Sequence, residues 1–275
     1  MGLRYAIVAG LAGVLLVVSA IVQLTGPQTS INELTLGLIT LHERYPRDII
    51  AASIEGLGWF AVAATLVYLF GAARARNELL GPYMKYLALA GGVVAAIAGV
   101  AYESVIASKA SDFVHQGNQT YMEAHQLTSQ TGLVTLQLTG QAAALVLAMG
   151  FVLISLNAMR VGLLTKFLGY LGIFAGIFVL FGAAITPVPI VQAYWLIALA
   201  YLLSGRWPTG VPPAWQSGRA EKWPTSAEMR EKRAKAAGAR GRGKPAPTPA
   251  PEAAAAPARG TTRATTPKRK RKHRN

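Results

Sequence analysis

The chain has 275 residues, of which 52% are hydrophobic and only 14% charged, against roughly 25% charged in a soluble domain. No single water-soluble core hides that much apolar surface, so lipid is the expected solvent, and the absence of cysteine excludes disulfides, thiolate metal sites, cysteine nucleophiles and palmitoylation. The net charge of +15 is concentrated at one end: residues 206–275 hold eighteen Lys/Arg against four Glu, whereas residues 1–205 are nearly neutral.

Six apolar segments are predicted as helical spans, at about 5–25, 50–73, 84–107, 132–157, 163–186 and 187–204. At about 1.5 Å per residue such lengths approach or exceed a hydrocarbon core of about 30 Å, the last one only marginally. Strand-period alternation is absent, which argues against a membrane barrel. The expected fold class is therefore all-α: a polytopic six-helix transmembrane domain over 1–206, a Trp/Pro-rich juxtamembrane segment over 207–224 and a disordered basic tail over 225–275.

The first span begins after Arg4 and carries Val18-Ser19-Ala20, a small-residue pattern also found at signal-peptide cleavage sites. The apolar run continues through Ile21 and Val22 to Gln23, which favours a retained helix. The loops at 26–49 and 108–131 follow the first and third spans. Arg44, Arg47 and Lys109 fall on their side, whereas Arg4, Arg74, Arg76, Lys85, Arg160, Lys166 and Arg206 fall on the other. The positive-inside rule then makes the second side cytoplasmic, with both termini inside and the two loops outside. Gly91, Ala95 and Gly99 on the third span, and Gly172 and Gly176 on the fifth, have the spacing that lets helices approach closely in lipid. They are read as intramolecular packing faces, with homo-oligomerisation as the lesser alternative. Pro187 and Pro189 mark a short outer turn between the last two spans, because proline fits a first helical turn whose N–H has no partner.

Ionisable groups inside spans are costly, so their positions carry information. Glu55 and Glu103 each lie roughly 26–27 Å from the cytoplasmic ends of their helices, counting about 1.5 Å per residue. Gln23 and Gln141 reach a similar depth, Gln137 lies one turn higher, Gln192 lies lower, and Tyr102 adjoins Glu103. Such a layer is either a cavity able to bind a cation or exchange a proton, or a set of shallow polar groups that snorkel and staple helices. The outer loop also carries His115, Glu123 and His125. They are weak metal candidates, since their spacing matches no zinc motif, and no metal and no cofactor are expected. There is no Walker A, no GxGxxG after a strand, no GxSxG and no kinase signature.

Beyond the last span, Trp207, Trp215 and Trp223 stand in proline-containing contexts, and residues 227–237 have the composition of a short charged helix. The remainder lacks the apolar residues needed to offset ordering entropy. Its end, Lys268-Arg269-Lys270-Arg271-Lys272, is suited to anionic lipid headgroups, at roughly 1 kcal/mol per basic residue near the surface. Nucleic acid or a ribosome is the less favoured partner, because no aromatic residue interleaves the cluster.

On Gly205-Arg206-Trp207-Pro208, Pro212-Pro213-Ala214-Trp215 and Trp223-Pro224, with the stretch from Asn157 to Gly172, the chain resembles a group of uncharacterised multi-pass membrane proteins from GC-rich, actinobacterial-type bacteria. The resemblance covers residues 1–224. It implies a bacterial inner-membrane location and carries over no catalytic residue. The leading expectation is a non-enzymatic integral membrane protein of accessory type that presents its tail to the cytoplasmic leaflet. The alternative is a small transporter or a cation- or proton-responsive sensor using Glu55 and Glu103.

Overall fold

The structure is a computed structural model that describes residues 2–25, 33–185, 189–208, 210–221 and 223, with positions 228, 230, 231, 234 and 235. The described residues form nine helices and no strand: α1 (Leu3–Leu24), α2 (Leu34–Arg44), α3 (Arg47–Arg74), α4 (Tyr83–His115), α5 (Tyr121–Thr128), α6 (Thr131–Arg160), α7 (Lys166–Ile185), α8 (Ile190–Leu203) and α9 (Pro213–Ser217). The chain divides into two compact units, Met1–Trp223 and Pro224–Asn275. In the second, the described positions from 228 to 235 are helical, with an exposed Lys235–Glu231 ion pair at 2.7 Å. The cluster from Lys268 to Lys272 lies outside the described residues.

In the first unit α1 packs on α3, α3 on α4, α4 on α6, α6 on α7, α7 on α8, and α8 returns to α1, so six helices close a ring. Four of them, α1, α3, α4 and α6, are long and apolar enough to cross a membrane. The expected fifth and sixth spans form shorter apolar helices, Lys166–Leu180 and Ile190–Leu203. At 14 residues, α8 covers about 21 Å, less than a hydrocarbon core, because Pro189 sets its start. The outer turn read at Thr186–Ile190 lies largely outside the described residues. Outward-facing side chains around the ring are apolar, among them Ile7, Leu11, Leu57, Ile97, Leu145 and Phe174. A helix set apolar on its outer surface as well as its inner one is compatible with lipid as solvent.

Both stretches read as outer loops contain helices. The 33-residue α4 is about 50 Å long, and its last turns run past the expected end at residue 107. There Leu38 of α2, Ile106, Ala110 and Phe113 of α4, Ala124 of α5 and Leu133 of α6 form a small separate core. We call this the capped end. Apolar residues three or four apart in short segments drive it, a signal masked by the polar residues between them.

Helix contacts are set by glycine. A Cβ on Gly91 of α4 would stand 2.7 Å from Leu147 Cα, and one on Gly150 of α6 would stand 2.8 Å from Ala88 N, so these two helices touch through backbone. The fifth-span glycines act within the chain too: Gly172 faces Ser155 and Trp195, and Gly176 faces Val152 and the Ala148 carbonyl. The other end of the ring is filled by Leu66, Leu69, Phe151, Ile154 and Trp195. The indole N–H of fully buried Trp195 donates to Leu168 O at 2.9 Å. Beneath that end Trp215 of α9 docks under the bundle, donating to Leu163 O at 3.0 Å, with the Arg76 guanidinium 5.0 Å above its ring. Gly162 turns α6 into α7 at φ +80°, a conformation that favours glycine.

A side chain at Gly150 has nowhere to go, whereas Gly99, on the same helix pair, has no atom within 4 Å of an added Cβ. Gly150→Leu is expected to destabilise the bundle by about 1–3 kcal/mol or more through overpacking. Gly99→Ala should hold or raise stability, by up to about 1 kcal/mol of helix propensity. Thermal unfolding of the purified variants in one detergent compares the two, and equal melting temperatures would contradict this packing.

Candidate functional site

Toward the capped end the ring does not close onto itself. Gly91 presses on α6, but Ala95 and Gly99, one and two turns on, border open space opposite Gly140 and Ala144. The face read as a continuous packing stripe therefore packs at Gly91 and opens at Ala95 and Gly99. The result is a cavity of about 840 Å³, bordered by α1, α2, α3, α4, α6, α7 and α8.

All five residues singled out from the sequence, Gln23, Glu55, Glu103, Gln137 and Gln141, line this cavity. Residue counting placed four of them at one depth and Gln137 one turn higher, and all five border one space. Gln192 lines it as well, but its buried amide donates to Ala175 O at 3.1 Å, so it joins α8 to α7. Arg44, Asp48, Trp59 and Tyr102 complete the polar and aromatic border.

The two glutamates differ in how they are held. Glu55 is enclosed by neutral donors: Gln23 Nε2 donates to Oε2 at 3.0 Å, Ser19 Oγ lies 3.5 Å from the same oxygen, and Trp59 Nε1 donates to Oε1 at 3.1 Å. Ser19 Oγ also approaches Ala51 O at 3.0 Å, so this cluster ties α1 to α3. Glu103 makes no hydrogen bond and no ion pair among the described residues, and it stands in the field of Asp48, Glu55 and Arg44. Gln137 and Gln141 form no hydrogen bond there either. The positive charge at the border is engaged: Arg44 pairs with Asp48 at 3.1 Å, both side chains 14% exposed, and its Nη2 donates to Gln23 O at 3.0 Å. The cavity thus combines one carboxylate held by protein donors, one without a hydrogen bond among the described residues, two exposed amides and apolar walls.

Ser19, Arg44, Asp48 and Trp59 were not among the residues singled out. Their signal was present as i,i+4 spacing: Ser19 with Gln23 and Glu55 with Trp59 each share a helix face, and Arg44 and Asp48, four apart, pair across the turn from α2 to α3. The weak metal candidates separate. His115 is exposed and meets His42 edge to face at 5.0 Å, and exposed His125 lies 6.4 Å from the Tyr121 ring. Glu123 caps α5: its carboxylate accepts from Asn118 N at 2.8 Å, while Thr120 Oγ1 accepts from Glu123 N at 3.3 Å. Thr120-Tyr121-Met122-Glu123 has the capping-box sequence; the Thr120 half forms, and the Glu123 carboxylate reaches Asn118 N in place of Thr120 N, which occupies that glutamate without a metal. Among the described residues no group of three or more His, Asp or Glu is placed to hold a metal ion.

No protein-family model matches the chain, and no curated protein and no solved structure proved similar to it.

Among the described residues Trp59 is the sole donor to Glu55 Oε1, and removing one partner of a half-buried charged group costs about 1–3 kcal/mol. Trp59→Phe is therefore expected to lower the melting temperature, while Tyr102→Phe, whose hydroxyl has no hydrogen-bond partner among the described residues, should leave it within error. A Trp59→Phe melting curve that overlays the parent would show that this hydrogen bond within α3 does not contribute to stability.

Proposed function

We propose that this protein is a multi-pass membrane protein that binds a small cation in a cavity within its helix ring, as a small transporter or a sensor would. The observation that carries this reading is convergence: both glutamates that hydropathy places inside spans border a single cavity. A carboxylate in a low-dielectric wall is costly unless paired, and Glu103 has no partner among the described residues. A positively charged occupant or a proton would supply the missing partner. This chemistry favours a binding role over the purely accessory role expected from the sequence.

We read α7 and α8 as the fifth and sixth spans, completing the ring, with the capped end outside and both termini in the cytoplasm. The charge bias of the helix ends supports this orientation. The resemblance to actinobacterial-type membrane proteins favours a bacterial inner membrane. In this orientation the cluster from Lys268 to Lys272 faces the anionic cytoplasmic leaflet, its preferred partner.

Two experiments test these readings. A ligand that binds only the folded state adds about 2.7 kcal/mol of stability at a hundredfold excess over its Kd. The melting temperature of the purified chain should therefore rise with at least one member of a panel of sodium, potassium, magnesium and organic ammonium salts, and the Glu55→Gln/Glu103→Gln double variant should not respond. A flat response of the parent across the panel would remove the binding role. Separately, a fluorescent or enzymatic reporter fused after Asn275 is expected to be active only on the cytoplasmic side; periplasmic activity would invert the topology.

A further inference from the structure

We propose that the occupant is a small organic ammonium ion with an apolar body, its charge set against Glu103 and its body against the walls of α4, α6 and α7. This narrows the cation-binding reading above to a chemical class and rests on it.

Charge selects a cation. Arg44 is the one basic side chain bordering the cavity among the described residues, and it is already engaged with Asp48 and with the Gln23 carbonyl. A carboxylate or phosphate on the ligand would therefore meet no available cation, and its desolvation would go uncompensated. Glu55 has neutral donors on both oxygens and keeps its negative charge, whereas Glu103 has no hydrogen bond among the described residues and is the carboxylate open to a ligand's donor.

Size and wall chemistry then select an organic ion. Calcium and magnesium require about six or more oxygen ligands at short range, and the described residues offer no acidic or histidine cluster of three. A cavity of about 840 Å³ falls in the range of roughly 300–1,000 Å³ that organic ligands fill. Its walls include Leu136, Leu147, Phe178 and Val179, which a hydrated inorganic ion would leave in unfavourable contact with water. Trp59 and Tyr102 add aromatic faces, which attract ammonium groups through the ring quadrupole.

The test uses the purified full chain in detergent and benzyltrimethylammonium as probe, followed by isothermal titration. Its uncharged carbon isostere, neopentylbenzene, and magnesium and sodium chloride serve as competitors. The proposal expects saturable probe binding, no competition from the isostere or the salts, and affinity at least about tenfold weaker in Glu103→Gln, the equivalent of one lost charge contact. Gly99→Leu, which fills the cavity without altering charge, should abolish binding while the melting temperature reports that it folds. Equal competition by the isostere, or unchanged affinity in both variants, would overturn the proposal. Glutamate-dependent stabilisation by sodium or magnesium without probe binding would overturn the ligand class and leave the cation-binding reading standing. No response to probe or salts would remove both. Where the probe binds, discs of phosphatidylglycerol with and without phosphatidylethanolamine identify the source: competition by the ethanolamine lipid makes the natural ammonium a headgroup, and its absence makes it a free amine, either of which fits the class.

Discussion

How closely α4 can approach α6 decides most of what this molecule contains. At Gly91 and Gly150 the two helices meet backbone to backbone. In lipid there is no hydrophobic drive to bring helices together, so van der Waals contact at small residues supplies much of the attraction. That contact fixes the pair at one level. One turn further along α4 the same small-residue face continues through Ala95 and Gly99, but Gly140 and Ala144 stand across from it and nothing large fills the gap. Small residues thus do opposite things at adjacent levels of α4: at Gly91 they weld it to α6, and at Gly99 they leave space.

The polar groups at that level divide into structural and available ones. Glu55 is part of the ring itself, because Gln23 of α1 donates to it and Ser19 of α1 donates to the neighbouring Ala51 O, joining α1 to α3, while Trp59 bonds it from within α3. Snorkelling, the mundane expectation for a shallow glutamate, does not describe it. Glu103 is placed at the same cavity without such donors among the described residues. Half-buried at the cavity border and without protein donors, its carboxylate is left to whatever occupies that space, and a fold that only needed a helix staple would be served by an amide there. The asymmetry between two chemically identical side chains is what separates a binding reading from a packing one.

The helices were legible because a long apolar run has one cheap solution, and they begin and end within a few residues of the expected segments except at the end of α4. Relative height was open to counting as well, since residue number along a helix converts directly to distance. Azimuth was not: whether Glu55 and Glu103 face one space depends on which flank of each helix packs, and that is set by glycines meeting partners far away in sequence. The short helices α2 and α5 escaped notice for a related reason. Their apolar residues are few, and they are stabilised by a core shared with α4 and α6, so no single segment carries the signal. Glu123 was local and could have been read, since its capping-box sequence needs only four consecutive residues.

The outer arginines complete the argument about orientation. Arg44 and Arg47 count against the charge bias when tallied as loop charges, yet each has a local use. Arg44 donates to Gln23 O at 3.0 Å and Arg47 to Thr25 O at 3.3 Å, both at the carbonyl-rich C-terminal end of α1. A helix C-terminus carries partial negative charge and unpaired acceptors, so basic side chains are favoured there whichever way the protein faces. Arg76 on the opposite side must be set aside by the same reasoning, because it donates to Ala72 O at 2.7 Å and to Ala214 O at 2.8 Å. Arg74 and Arg160, in the last turns of α3 and α6, drop out on the same ground. What remains is Arg4, Lys85, Lys166 and Arg206 against Lys109 alone, so removing charges that a helix end would favour anyway keeps the bias on which the proposed orientation rests.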